Sequence, residues 1–234
     1  MTALLKNEPA AGPGGASSLA ACAERETDVG RQAVTRREVL NQSAKLFAAH
    51  GYRSTSLQAV SDRLGVTRQA LYYHFMSKGE ILGALFDELM TKLEAAGDAA
   101  LRDSAQPWFV SLLRAHIEVC VSNIDLLSLL LHERPEIAKL EGLRADKRRR
   151  EYTNLFMDAY EKGVAEGRLV DVDRWIAVNT LLSATNGISA WFHGSQAHRS
   201  GEQFRTDLTR LLAQGYLIEN DSNPAPRIAA AVAD

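Results

Sequence analysis

The sequence is short of several things, and each shortage removes a class of answer. Two cysteines occur in 234 residues, Cys22 and Cys120, far apart and outside any C-x-x-C or Cys/His pattern. Neither a disulfide framework nor a structural zinc site is expected from them. Long apolar runs are missing: the most hydrophobic stretch, Leu126 to Leu131, is bounded by Asp125 and by His132, Glu133 and Arg134, and the opening residues lack signal-peptide character. A reduced, cytoplasmic protein without a membrane partner is the expectation. Six histidines are present, but no two lie four apart around a carboxylate, as a zinc-binding helix requires. There is no G-x-S-x-G elbow, Walker loop or G-x-G-x-x-G either. No catalytic residue, metal or cofactor is therefore assigned, and the chain is not read as an enzyme. Period-two alternation with hairpin dipeptides is almost absent, which disfavours sheets.

What is present is ordinary in bulk and uneven in detail. The chain is 46% hydrophobic and 24% charged, the composition of a globular protein with a real core. Its net charge of −2 hides a division: residues 36–80 carry seven basic against three acidic residues, a net +4, and the remainder is net −6. A basic segment on an acidic body points to one part that meets a polyanion.

Residues 1–33, with Gly12-Pro13-Gly14-Gly15, and 219–234, with Asn223-Pro224-Ala225-Pro226, lack apolar periodicity and read as flexible tails. Between them i, i+3, i+4, i+7 spacing recurs, so the fold class is all-α. The pattern divides into a DNA-binding unit at 34–80 and a larger helical unit at 81–218. Thr35-Arg36-Arg37-Glu38 reads as a capping box that opens a first helix with Leu40, Ala44 and Phe47 on its buried stripe and Gly51 at its stop. Thr55-Ser56-Leu57-Gln58 reads as a second box, opening a short helix that buries Leu57, Val60 and Leu64. Thr67 caps a third helix with Leu71 and Phe75 inward and Arg68, Gln69, Tyr72 and Tyr73 outward. Ser77-Lys78-Gly79-Glu80 makes a further box, with Met76 and Ile81 as its hydrophobic staple. Longer helices follow at about 81–100, 108–121, 124–132, 143–166, 173–192 and 201–217, the third of these ending at Arg134-Pro135.

Two short helices joined at Gly65, the second showing Arg, Gln and Tyr, describe a helix-turn-helix. The turn needs a residue tolerant of positive φ, the first helix must brace the second, and the second must offer its N-terminal turns to the major groove. Flanking hydroxyls, His74, Lys78 and the helix start at Ser77 are placed to reach phosphates.

The stretch from Gly51 to Lys78, above all Gly65-Val66-Thr67, then Leu71-Tyr72-Tyr73-His74-Phe75, then Ser77-Lys78, resembles the DNA-binding segment of TetR-type transcriptional regulators. Two departures are mild: Val60-Ser61 stands where Ile-Ala is usual, and Gly79 where an acidic residue is common. The resemblance implies a three-helix DNA-binding domain fused to a helical domain that dimerises and encloses a small molecule. Carried over by position, Thr67, Arg68, Gln69 and Tyr73 face bases or the groove wall, and Thr55, Tyr72, His74 and Lys78 hold phosphates. Arg68 is the preferred base contact, since it alone combines length, charge and a forked donor set. For His74 a local hydrogen bond is the plainer alternative.

Farther on, Glu166-Gly167-Arg168-Leu169 and Leu181 to Phe192 look like the branch of this family that answers to fatty-acyl or steroid-derived acyl-CoA. That branch often has a basic residue and proline after the aromatic pair, where this chain has His193-Gly194-Ser195. Trp108, Phe109, Met157, Asn186 and Trp191 are candidate pocket residues, with plain core as the alternative for each. Leu181, Leu182, Ile188, Leu208, Leu211 and Leu212 are candidates for a four-helix interface between two copies, because a palindromic operator needs two recognition helices about one DNA turn apart. The expected protein is a homodimeric, effector-released repressor on a double-stranded operator. Its rivals are an activator or DNA-binding protein without a small ligand, and a helical enzyme carrying a helix-turn-helix.

Overall fold

The computed structural model describes residues 34–102, 108–192 and 201–217. Nine α-helices stand among the described residues: α1 (Arg36–His50), α2 (Leu57–Leu64), α3 (Arg68–His74), α4 (Lys78–Arg102), α5 (Trp108–Ser122), α6 (Ile124–His132), α7 (Arg134–Ala165), α8 (Arg174–Asn186) and α9 (Gly201–Gln214). A 3-10 turn, Gly187–Ala190, follows α8, and one antiparallel bridge joins Leu169 to Leu217. No single helix among the described residues is long and apolar enough to cross a membrane.

The first three helices are set by their ends. At α1 the Thr35 hydroxyl accepts from the Glu38 N–H at 3.2 Å while the Glu38 carboxylate accepts from the Thr35 N–H at 2.7 Å, so two orphan donors are satisfied reciprocally. These bonds hold the Glu38 carboxyl below its ordinary pKa. Gly65, at φ 66°, stops α2 after two turns in the left-handed conformation that glycine adopts without strain. Thr67 then caps α3, accepting from Ala70 N–H at 3.2 Å. Val39, Phe47, Val60, Leu71 and Phe75 are at most 2% exposed and close one small core. Burying each stabilises the domain by about 1.5–3 kcal/mol relative to exposure.

Two expected helix starts differ from the structure. The cap of α2 is Ser56, which accepts from Ala59 N–H at 3.1 Å, and not Thr55; Gln58 turns instead to Asp62. At α4, Ser77 accepts from Glu80 N–H at 3.1 Å as expected, but Met76 is 69% exposed, so no staple forms with buried Ile81.

The larger domain is built around α5, whose Phe109, Leu112, Leu113, Ile117 and Cys120 are at most 1% exposed. It packs on α4, α7 and α9. As expected, α4 buries Leu82, Leu85, Phe86, Leu89 and Leu93. The expected start at Leu143 coincides with a break inside α7, and the helical segment 134–141 before it is an addition. Pro135, read as a stop, also serves as a first-turn residue of the next helix, and the break lies at Gly142 (φ 48°, ψ −126°).

Candidate DNA-binding face and effector cavity

On α3, Arg68, Gln69 and the cap Thr67 are exposed, Tyr73 is 86% exposed and Tyr72 half-buried, while Leu71 is fully buried against α1 and α2. The polar side of a seven-residue helix is thus presented rigidly from an apolar brace. Arg68 Nε donates to Tyr72 Oη at 2.8 Å, and its guanidinium carbon lies 5.1 Å from the Tyr72 ring centroid. That bond uses only the Nε donor of the exposed Arg68 side chain. Five of the eight expected DNA-contacting residues, Thr67, Arg68, Gln69, Tyr72 and Tyr73, therefore share one accessible surface.

The other three make bonds within the domain, and for His74 this is the local hydrogen bond that the sequence left open. Thr55 is 4% exposed, and its hydroxyl donates to the Gly51 carbonyl at 2.9 Å, closing the α1–α2 loop. His74 Nε2 lies 2.7 Å from the Val34 carbonyl, tying the end of α3 to the chain just before α1. Lys78 donates to the carbonyls of Tyr52 (3.0 Å), Arg53 (2.9 Å) and Thr55 (3.3 Å) and lies 4.6 Å from the Tyr52 ring centroid. An ammonium has three protons, so all of Lys78's donors are committed inside the domain. Of these three, Thr55 is buried, while His74 and Lys78 are half-buried.

A second feature lies between α4, α5, α6, α7 and α8: a cavity of about 550 Å³, within the usual range of small-molecule sites. Phe86, Leu89, Leu93, Leu127 and Leu130 form its apolar wall, and Arg134, Arg149, Arg150 and Asp146 bring charge to it. Arg149 pairs with Asp146, and Arg134 and Arg150 are exposed. With His116 neutral the lining is net positive. Burial lowers the His116 pKa to about 4, partly offset by its hydrogen bond to Asn186, and pushes the Cys120 thiol up to about 12.

Residues 39–85 match the family model described as bacterial regulatory proteins, tetR family, and residues 102–216 match the tetracyclin repressor-like C-terminal domain. The chain belongs to the TetR family. It is a DNA-binding transcriptional regulator of that family. It is 28% identical over 168 residues to the HTH-type transcriptional repressor KstR2 of Rhodococcus jostii, covering 67% of this chain and 79% of that one. A solved TetR/AcrR-family regulator from Thermobifida fusca is 31% identical, with a TM-score of 0.61 over 78% of this chain and 98% of that chain. The KstR2 structure from Mycobacterium tuberculosis shares the fold at 21% identity, with a TM-score of 0.71 over 81% and 98% of the two chains. AibR, solved with isovaleryl coenzyme A and operator DNA, shares it at 22% identity and a TM-score of 0.64, over 75% and 96%.

In this TetR-family chain, two of the expected pocket residues, Met157 and Asn186, line the cavity. Phe109 instead packs in the core against Phe156, Tyr160 and Tyr216, Trp108 lies under Lys162, and Trp191 is 57% exposed with its edge on Phe204. Of the expected dimer residues, Leu181 and Ile188 are at most 1% exposed and belong to the protomer core, and Leu182 lines the cavity. Leu208 and Leu212 are half-buried, and Leu211 is 66% exposed. The sequence His193-Gly194-Ser195 lies outside the described residues, as do Cys22 and both expected tails. Sequence reasoning missed His116, Tyr152, Arg134, Arg149 and Arg150. A signal existed for some of them: His116 interrupts an otherwise apolar helix face, and Arg149-Arg150 closes the basic run that starts at Lys147.

Proposed function

We propose that this chain is a homodimeric repressor of a palindromic operator, released by an effector with an apolar body and an anionic head, of acyl-CoA type. The observation that carries the effector reading is the apolar cavity with Arg134, Arg149 and Arg150 on its lining. An acyl chain suits the wall, and guanidinium groups suit phosphates through forked, charge-assisted hydrogen bonds. AibR's coenzyme A thioester supports the same chemistry in a protein of this fold. On α3, Arg68 and Gln69 take base edges while Thr67, Tyr72 and Tyr73 meet the groove wall and backbone. The second copy docks on α8, the 3-10 turn after it and α9, where Ile176, Trp191 and Leu211 are more than half exposed, since exposed apolar patches mark interfaces.

The route from cavity to DNA runs through the first segment of α7. Arg134 and Ile137 line the cavity, while Leu140 and Glu141, on the same segment, lie against α4 at Gly79 and Gly83. A Cβ at Gly79 would come within 2.9 Å of Leu140 Cδ2. The glycine that departs from the family pattern is thus the seat that admits Leu140. Below the kink, Arg144 grips Asp87 through two 2.9 Å bonds, and Arg148 bridges Asp87 and Glu94 at 2.8 and 2.7 Å. An effector that favours a different position of residues 134–142 therefore shifts α4 and the DNA-binding domain with it; only differential affinity for the two states drives this.

The test is a gel shift on a duplex selected from random sequence by the purified protein. Decanoyl-CoA releases the DNA and coenzyme A alone does not; release by neither thioester chain length tried, medium or long, overturns the effector reading. A cross-link between Gly79→Cys and Leu140→Cys keeps DNA binding and removes release. Unchanged release in the cross-linked protein overturns the route.

A further inference from the structure

The cavity wall mixes aliphatic and polar side chains, and one set of its polar groups is joined in a continuous buried run with Cys120 behind it. His116 Nδ1 lies 3.0 Å from Tyr152 Oη, His116 Nε2 lies 3.4 Å from Cys120 Sγ, and Cys120 Sγ lies 4.0 Å from Asn186 Oδ1. His116 and Cys120 stand one turn apart on α5, Tyr152 comes from α7 and Asn186 from the end of α8, so three helices converge on it. His116 and Tyr152 are 3% and 6% exposed, and with Asn186 they line the cavity. The arginines of the same cavity are far better exposed, which makes the polar run the inner end and the arginines the mouth. Burying such a run costs desolvation that aliphatic residues of similar volume would avoid, so packing alone does not account for it.

We propose that Tyr152 and Asn186, oriented by His116, are the specificity element of the cavity and hydrogen-bond an uncharged oxygen, keto or hydroxyl, at the inner end of the effector. This rests on reading the cavity as an effector site. In the arrangement that satisfies the internal contacts, Tyr152 Oη–H donates to His116 Nδ1, while His116 Nε2–H is shared between Cys120 Sγ and Asn186 Oδ1, toward which Cys120 S–H also turns. The Asn186 amide protons then remain for a ligand oxygen, and a Tyr152 lone pair remains for a ligand hydroxyl. Burial keeps His116 uncharged at neutral pH, so the inner end offers no counter-charge to a carboxylate. Of the charged lining groups, Arg134, Arg149 and Arg150 hold the anionic head at the other end, and Asp146 pairs with Arg149. The effector class is accordingly an acyl-CoA whose chain or ring carries a neutral oxygen remote from the thioester.

Isothermal titration of the full-length protein with decanoyl-CoA and with its methyl-ketone analogue of equal chain length tests this. The wild type should prefer the ketone by roughly tenfold, the worth of about one satisfied neutral hydrogen bond. Asn186→Leu should lose that preference by weakening ketone binding alone, and Tyr152→Phe should reduce it by freeing His116. Equal binding of the two thioesters by the wild type overturns this proposal and leaves the acyl-CoA reading standing. A preference that survives Asn186→Leu overturns the assignment to this run, and binding of neither thioester overturns both readings. The wild-type comparison decides without the variants, so a variant that fails to fold does not shelter the proposal.

Discussion

On α3 the polar side chains point away from the chain and the apolar ones, Leu71 and the following Phe75, point in; around the cavity the aliphatic side chains form the wall, and the polar His116 and Tyr152 are among its most deeply covered members. The difference follows from what each surface meets. A duplex brings its own charge and hydrogen-bonding edges, so a reader of DNA needs only one helix held firmly from behind. A small apolar molecule brings little but area, so its site must be enclosed by several helices and given direction by a few buried polar groups. The first kind of site is local in sequence and the second is not.

The largest expected effect tests the brace. Leu71→Ala removes a fully buried side chain from a small core and should cost about 2–5 kcal/mol in urea unfolding, with DNA affinity lost along with the fold. Leu89→Ala, on the cavity wall, should cost less, because its side chain already borders open volume on one side. Equal losses would mean that the cavity closes up in solution.

The next effect concerns Lys78, whose ammonium the structure places on three backbone carbonyls. Lys78→Ala strips charge-assisted hydrogen bonds from three carbonyls and should lower stability by about 1.5–3 kcal/mol. The salt dependence of DNA binding should hardly change. If stability holds and the slope against log salt instead falls by about one, Lys78 is a phosphate contact as the family resemblance implies.

Much of the DNA-binding domain was legible because its determinants are neighbours in sequence. Thr35 with Glu38, Gly65 and Thr67 each act within four residues, and the stripe that buries Val60 and Leu71 follows from helical spacing. What the sequence did not give there was long-range: the partners of Lys78 lie 23 to 26 residues back, and that of His74 lies 40 residues back. The cavity was legible only in fragments, since Met157 and Asn186 share a wall that five helices assemble. Leu181 and Ile188 misled because a strongly apolar helix faces either a partner or its own core, and periodicity does not tell which. Pro135 marked the end of α6 correctly but hid the start of α7, as proline closes one helix and opens the next equally well.

On the outer face, Arg68→Ala should weaken binding to the selected operator by about 1–3 kcal/mol and relax preference at one base pair, while unfolding stays within about 0.5 kcal/mol of wild type. Gel shifts against single-base operator variants read this directly. Uniform weakening across all variants would move Arg68 from base reading to backbone contact and leave Gln69 as the base reader of α3.

The cavity has its own signature, which the outer face lacks. His116 is held neutral with a pKa of about 4, below the ordinary value of 6.5, so between those values the unfolded chain binds the extra proton and the folded one does not. Its contribution to stability is complete above pH 6.5 and falls as pH drops toward 4, by at most about 1.4 kcal/mol per pH unit. Urea midpoints measured from pH 7 to pH 5 should therefore decline more steeply for the wild type than for His116→Gln. Parallel curves for wild type and His116→Gln would place water beside the imidazole. The inner end of the cavity would then be as wet as α3, and the contrast between the two sites would disappear.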